Sequence, residues 1–234
     1  MTSSPASESL EHARFAVVDV ETTGVRAQVG GRILEVAVAI LEGGTIHLAF
    51  EALLDPGTSI PVWVARLTGI TDGMVVGRPR FGDVVADFGR ALDAAVFVAH
   101  NARFDWRFLA AEYALAGVPA PGGKPLCTVR LTRRLVPELR HRGLDHVAAF
   151  FGVVNPARHR AVGDALATAH VLRALIGRAR ERGVRTLEEL RDLHDRPRHR
   201  TRNAECGMRN VRGGVEPRAN SHVNSAFPIP HSDF

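Results

Sequence analysis

"FAVVDVETTG", residues Phe15 to Gly24, decides how the chain is read. Its apolar, β-branched run has the character of a buried strand, yet Asp19 and Glu21 stand at the end of it, one residue apart. Residues i and i+2 of a strand point to the same face, so the two carboxylates project side by side. Two such charges about 4 Å apart repel by on the order of 1 kcal/mol even at the dielectric of water, and by several-fold more when partly buried. With Val17, Val18 and Val20 around them, this is too apolar for a casual surface strand. The pair needs positive charge, and a divalent cation would supply it. Thr22, Thr23 and Gly24 follow, offering hydroxyls and closely approachable backbone N–H groups suited to a phosphate or sugar edge.

Working outward, "GRILEVAVAIL" and "TIHLAFEALL" are also strand-like and separated by turn residues, which predicts an antiparallel meander. Pro56 and Pro61 make "DPGTSIPVWVARLTGIT" a shaped loop with one short helix. Phe81, Val84, Val85, Phe88 and Leu92 have the spacing of an amphipathic helix, and "AVFVAH" is a further short buried strand. Asn101 is expected to cap the helix "ARFDWRFLAAEYALAG", which Gly117 and Pro119 end. "CTVRLTRRLVP", "GLDHVAAFFG" and "GDALATAHVLRALIGRARERG" continue as helices. Strands first, then strand–helix units, predict a mixed α/β domain over one central sheet.

With 234 residues and 45% hydrophobic content, one sizeable domain is expected over residues 13–194. Residues 1–12 read as a flexible lead, and 195–234 as a basic, aperiodic, disordered tail. The net charge of +5 and pI near 10.4 suit a polyanionic partner without establishing one. Lys124 is the only lysine, and a GC-rich coding bias explains the arginine content as well as phosphate recognition does. Cys127 and Cys206 lie far apart without CxxC spacing, which indicates neither a zinc site nor a disulfide framework. The N-terminus lacks a basic start and an apolar core, and no apolar run approaches the ~18 residues of a membrane span. A cytoplasmic protein without a membrane partner is expected.

Two further clusters carry acids. In "VAHNARFDWRFL" a strand ends at His100 and Asn101, and Asp105 falls in the first turns of the next helix, at the junction where functional groups of open α/β sheets gather. Complementing the positive helix N-terminus is its plainer role. In "RHRAVGDALATAHVL", His159 lies in an arginine-rich loop and Asp164 begins a long helix. A loop histidine is ordinarily just solvated, but the acid five residues on can share a cation with the first two clusters.

Taken in order, "DVETTG", "HNARFD" and "HRAVGDA" resemble the motif set of the DEDDh 3′–5′ exonucleases. "LTGIT" and "DALATAHVL" are similar to the proofreading epsilon subunits of bacterial DNA polymerase III and their stand-alone relatives, over roughly Arg14 to Gly177. The resemblance implies a ribonuclease H-like mixed central sheet flanked by helices. It implies that Asp19, Glu21, Asp105 and Asp164 ligate two divalent ions, Mg²⁺ or Mn²⁺, and that His159 is the general base of a two-metal hydrolysis releasing 5′-monophosphates from a 3′ end. Thr22, Thr23 and Gly24 would hold the terminal nucleotide with Val25, a leucine in many relatives, against its base. His100, Asn101 and Phe104 are the next pocket candidates, core packing being the other reading of Phe104. Cys127 stands where relatives commonly have aspartate, and reads as a small core residue. Arg158 and Arg160 either meet a phosphate backbone or face solvent.

The implied partner is a single-stranded 3′ end, DNA ahead of RNA, with a DNA polymerase subunit as a candidate companion. An exoribonuclease of the same fold and a non-catalytic nucleic-acid-binding module are the alternatives. The tail either adds salt-dependent affinity for a polyanion or is an inert extension. "GVRTLEELRDL" is similar to the linker of relatives fused to an excision-repair endonuclease region.

Overall fold

The computed structural model describes residues 8–197. Strands β1 (Phe15–Thr22), β2 (Ile33–Glu42) and β3 (Thr45–Leu53) form the expected meander, and β4 (Val96–Ala99) and β5 (Leu126–Cys127) complete a five-stranded sheet of order β3-β2-β1-β4-β5. β1 pairs antiparallel with β2 and parallel with β4, so the sheet changes character at the strand carrying the two acids. The hairpin between β2 and β3 turns on Gly43 and Gly44, both at positive φ, which a tight two-residue turn of this hand requires.

Helices cover both faces. Ala16, Val18, Val36 and Val38 point toward α3 (Phe81–Ala91) and α4 (Arg103–Leu115), where Phe81, Phe88, Phe108 and Tyr113 fill one half of the core. Val17, Ala37 and Ala39 point the other way, toward α5 (Thr128–Leu135), α6 (Leu144–Phe150) and α7 (Ala161–Glu181). Ala161, Ala165 and Ala169 of α7 meet Ala37 and Ala39 of β2 in that half. Small residues on both sides let the helix backbone lie close to the sheet. In the expected shaped loop, two short helices form, α1 (Val62–Thr68) and α2 (Asp72–Val75), packed on Leu34 through Ile60, Val64, Ile70 and Val75.

Four local expectations are corrected. The α4 N-cap is Ala102, while Asn101 adopts a left-handed φ of 68° and offers its backbone carbonyl to the Phe104 N–H at 2.8 Å. β5 was not expected, being too short to show alternation. The segment likened to a linker folds as α8 (Leu187–Asp195), whose buried His194 accepts a hydrogen bond from the Cys127 N–H at 3.0 Å. Cys127 itself is only half-buried, at the start of α5. Residues 8–12 of the supposed flexible lead are anchored: Ser9 bridges Thr186, the Leu10 N–H donates to Arg185 O at 2.9 Å, and Leu10 is buried. The expected basic tail lies outside the described residues from 198 onward, as does Cys206.

No helix among the described residues is long and apolar enough to cross a membrane. α8 begins with a capping box in which Thr186 accepts from the Glu189 N–H and Glu189 accepts from the Thr186 N–H. Thr186→Ala should lower unfolding free energy by about 1 kcal/mol in urea titrations. An unchanged midpoint would show that α8 contributes nothing to the fold's stability.

Candidate active site

β1 places Asp19 and Glu21 on the α7 side of the sheet, the same side as Val17 and Ala37. The ladder with β2 shifts register between Glu21 and Thr22, so a β-bulge ends the regular pairing just beyond the second acid. α7 brings Asp164 in its first turn to the same point, and ligand oxygens of Asp19, Glu21 and Asp164 lie within 4.8 Å of one another. Asp105, buried in the first turn of α4, approaches from the opposite face and is the charge that most disturbs Asp19.

The electrostatics follow from this crowding. Burial first, then Asp105, Asp164, Glu21 and Glu35, raises the Asp19 carboxyl well above the usual range. Burial, then Asp164, Glu35 and Asp105, pushes Glu21 up to about 8, with Arg160 pulling it down. Asp105 is raised by burial against hydrogen bonds from its own N–H and that of Val20. Asp164 is raised by burial, opposed by the Asn155 amide and by His159. Four acids held this way are short of positive charge, and hard oxygen donors around a partly buried point suit Mg²⁺ or Mn²⁺.

His159 stands in the loop before α7, half-buried, at a left-handed φ of 58°, and its backbone N–H bonds the Asp164 carboxylate. The imidazole is thus carried beside the acids. The remaining expected residues divide. Val25 is exposed, and the space beside the Gly24 Cα is open. The threonine hydroxyls, by contrast, are used inside the protein: Thr22 Oγ1 donates to Gly24 O at 2.7 Å, and Thr23 Oγ1 accepts from the Arg32 N–H at 2.9 Å. They shape the turn.

His100 is corrected in the same way. Its Nε2 sits 2.9 Å from Arg142 O and its Nδ1 2.9 Å from Thr128 Oγ1. A carbonyl only accepts, so Nε2 carries the proton and Nδ1 takes the threonine's. Burial lowers its pKa and favours that neutral ring. Both nitrogens are spent, tying the end of β4 to the start of α5 and to the segment before α6. Phe104 stacks on Phe108 with ring centroids 5.0 Å apart, the core-packing role, while Asn101 is exposed.

Two residues beside the site, Glu35 and Asn155, were missed. Glu35 of β2 pairs across from Glu21 and is buried, accepting from Arg160 Nε at 3.0 Å and the Ala161 N–H at 2.8 Å. Arg160 is therefore held by a carboxylate, and Arg158 pairs with Asp145. Asn155 Nδ2 donates to Asp164 Oδ1 at 2.5 Å. An acid within "ILEVAVAIL" is the same signal that singled out Asp19, whereas nothing in the sequence marks Asn155.

With this geometry in hand, known proteins can be compared. The model of the family described as "Exonuclease", the RNase T group, matches residues 16–172. The chain belongs to the exonuclease family. It is 38% identical over 157 residues to the DNA polymerase III subunit epsilon of Treponema pallidum (strain Nichols), covering 66% of this chain and 73% of that one. It is 34% identical over 180 residues to the 3′-5′ exonuclease DinG of Bacillus subtilis (strain 168), covering 77% of this chain but 19% of that protein. The chain thus spans under a third of the length of several curated relatives, DinG among them. Among solved structures, exonuclease X in complex with 5′ overhanging duplex DNA superposes with a TM-score of 0.61 at 27% identity, covering 78% of this chain and 99% of that one. The fold is ribonuclease H-like, a mixed sheet flanked by helices, as expected.

The raised carboxyls set a pH dependence. Unfolded, Glu21 releases its proton near 4.5; folded without a cation it does so near 8. Between those values the folded state holds more protons, so the cation-free fold loses stability as pH rises. A bound divalent cation requires the deprotonated acids and offsets the loss. The melting-temperature increment from saturating Mn²⁺ should therefore be larger at about pH 8 than at about pH 5. An increment independent of pH would contradict the cluster as the binding site.

Proposed function

We propose that this exonuclease removes nucleotides from the 3′ end of DNA by two-metal phosphodiester hydrolysis, releasing nucleoside 5′-monophosphates in proofreading or repair. Asp19, Glu21, Asp105 and Asp164 would hold two divalent ions, Mg²⁺ or Mn²⁺. The observation that carries this reading is the convergence of Asp19, Glu21 and Asp164 oxygens within 4.8 Å, with Asp105 buried beside Asp19. Four carboxylates against two dications sum to zero, which offsets the burial that raises all four and the repulsion that adds to it at Asp19 and Glu21.

When bound, the ions supply Lewis-acid activation of water and neutralise charge on the phosphoryl oxygens. The chain's own groups do the rest. His159 accepts a proton from the attacking water on a ring nitrogen, a task to which imidazole is suited at neutral pH. Its N–H contact to Asp164 keeps the ring next to the cation ligands. Gly24 and the exposed Val25, at the end of the bulged strand, receive the terminal nucleotide. Asn101, two residues beyond the end of β4 and exposed, is a further candidate for that pocket. The epsilon-subunit similarity supports DNA as substrate and a polymerase subunit as companion, and exonuclease X, solved with 5′ overhanging duplex DNA, also supports DNA.

The test is one assay. Purified protein is incubated with 5′-labelled single-stranded DNA, mismatched duplex and RNA, each with Mg²⁺, Mn²⁺ or chelator. A DNA ladder shortening from the 3′ end, abolished by chelator, is expected. Preferential RNA shortening would move the substrate class to the exoribonuclease reading, and no cleavage would leave a binding module. In the same assay Asp19→Ala and Asp105→Ala should lose nearly all activity while remaining folded. His159→Ala should lose about 10²–10⁴-fold in kcat while its Mn²⁺ affinity stays near wild type.

A further inference from the structure

The loop before α7 carries its histidine in a conformation that a non-glycine residue rarely adopts, φ 58° at His159. Such a residue persists only where its surroundings over-determine it. Upstream, Asn155 supplies the clamp, with Nδ2 on Asp164 and Oδ1 accepting the Ala157 N–H at 3.0 Å. The loop also rests directly on α7, because a Cβ at Gly163 would come within 2.1 Å of Ala157 O. Downstream, the two residues following His159 are both tied to one side chain: Arg160 Nε and the Ala161 N–H donate to Glu35 at 3.0 and 2.8 Å.

Glu35 is 4% exposed and sits on the strand next to the acids, opposite Glu21 in the ladder. Only the carboxylate of this pair is buried, the Arg160 side chain being 40% exposed, so its attraction is screened and partly offset by desolvation and it is a poor source of stability. What the pair supplies is geometry. A guanidinium fork and a backbone N–H converging on one carboxylate fix both position and angle.

We propose that Glu35 and Arg160 are positioning residues for His159, linking the strand that flanks the acids to the loop that carries the base. The inference rests on the proposed role of His159. Glu35 holds the chain on the C-terminal side of His159 while Asn155 holds the N-terminal side, and its charge also helps raise the Asp19 and Glu21 carboxyls. Its own charge is matched by Arg160, so it stands apart from the cation-holding set.

A double-mutant cycle separates positioning from mere structure. kcat and KM are measured on 5′-labelled single-stranded DNA with Mg²⁺ for wild type, Glu35→Gln, His159→Ala and the double variant, alongside melting temperatures. Glu35→Gln should lower kcat about 10- to 100-fold with KM within about twofold. In the His159→Ala background the same change should alter kcat by less than about twofold, because the group it positions is gone. Equal loss in both backgrounds, or a loss confined to KM, overturns the positioning role alone. If Glu35→Gln does not fold, Arg160→Gln carries the same test, since it leaves the Ala161 bond to Glu35. A His159→Ala protein as active as wild type overturns the reading of the base, and this inference with it.

Discussion

Like charges forced together at the end of a buried strand are the constraint around which this molecule is organised. Asp19, Glu21, Asp105 and Asp164 come from β1, α4 and α7; burial raises all four, and repulsion from the other acids adds to it at Asp19 and Glu21. Each unscreened pair of acids costs more the drier the site becomes, and a divalent cation is one way of offsetting that cost. The bulge after Glu21, the close approach of α7 and the burial of Asp105 are all arrangements that hold the acids near a common point.

Around that point the polar groups sort by how they are satisfied. Glu35 has Arg160 and the Ala161 N–H, and Glu112 has Arg32 at 2.8 Å, so these buried acids are neutralised by the protein itself. His100 is satisfied by Thr128 and Arg142. The site acids share only weaker complements: N–H groups, the Asn155 amide, and the charges of Arg160 near Glu21 and His159 near Asp164. What sets Glu35 and Glu112 apart from the clustered acids is a dedicated guanidinium.

Much of this was legible in the sequence. The meander, the long helices and the acids at strand and helix ends follow from period and position, because β-branched runs and i, i+3, i+4 spacing report burial directly. β5 is two residues long and too short for any period to register. α8 was hidden because its packing depends on partners distant in sequence, β5 and the segment before β1. At the site, residue type did not reveal whether a polar group was already spoken for: Thr22 and Thr23 spend their hydroxyls on nearby backbone, and His100 spends its ring on Thr128 and Arg142. Glu35 was visible as an acid in an apolar strand, but its partner lies 125 residues away, and only the folded chain brings Arg160 to it.

The central claim is that the four acids enclose divalent cations beside His159. Diffraction from crystals soaked with Mn²⁺ and a nucleoside 5′-monophosphate, recorded at the manganese edge, tests it most directly. The account predicts two anomalous peaks about 3.5–4 Å apart, bounded by Asp19, Glu21, Asp105 and Asp164. No peak among these carboxylates, with manganese bound elsewhere or not at all, would contradict it.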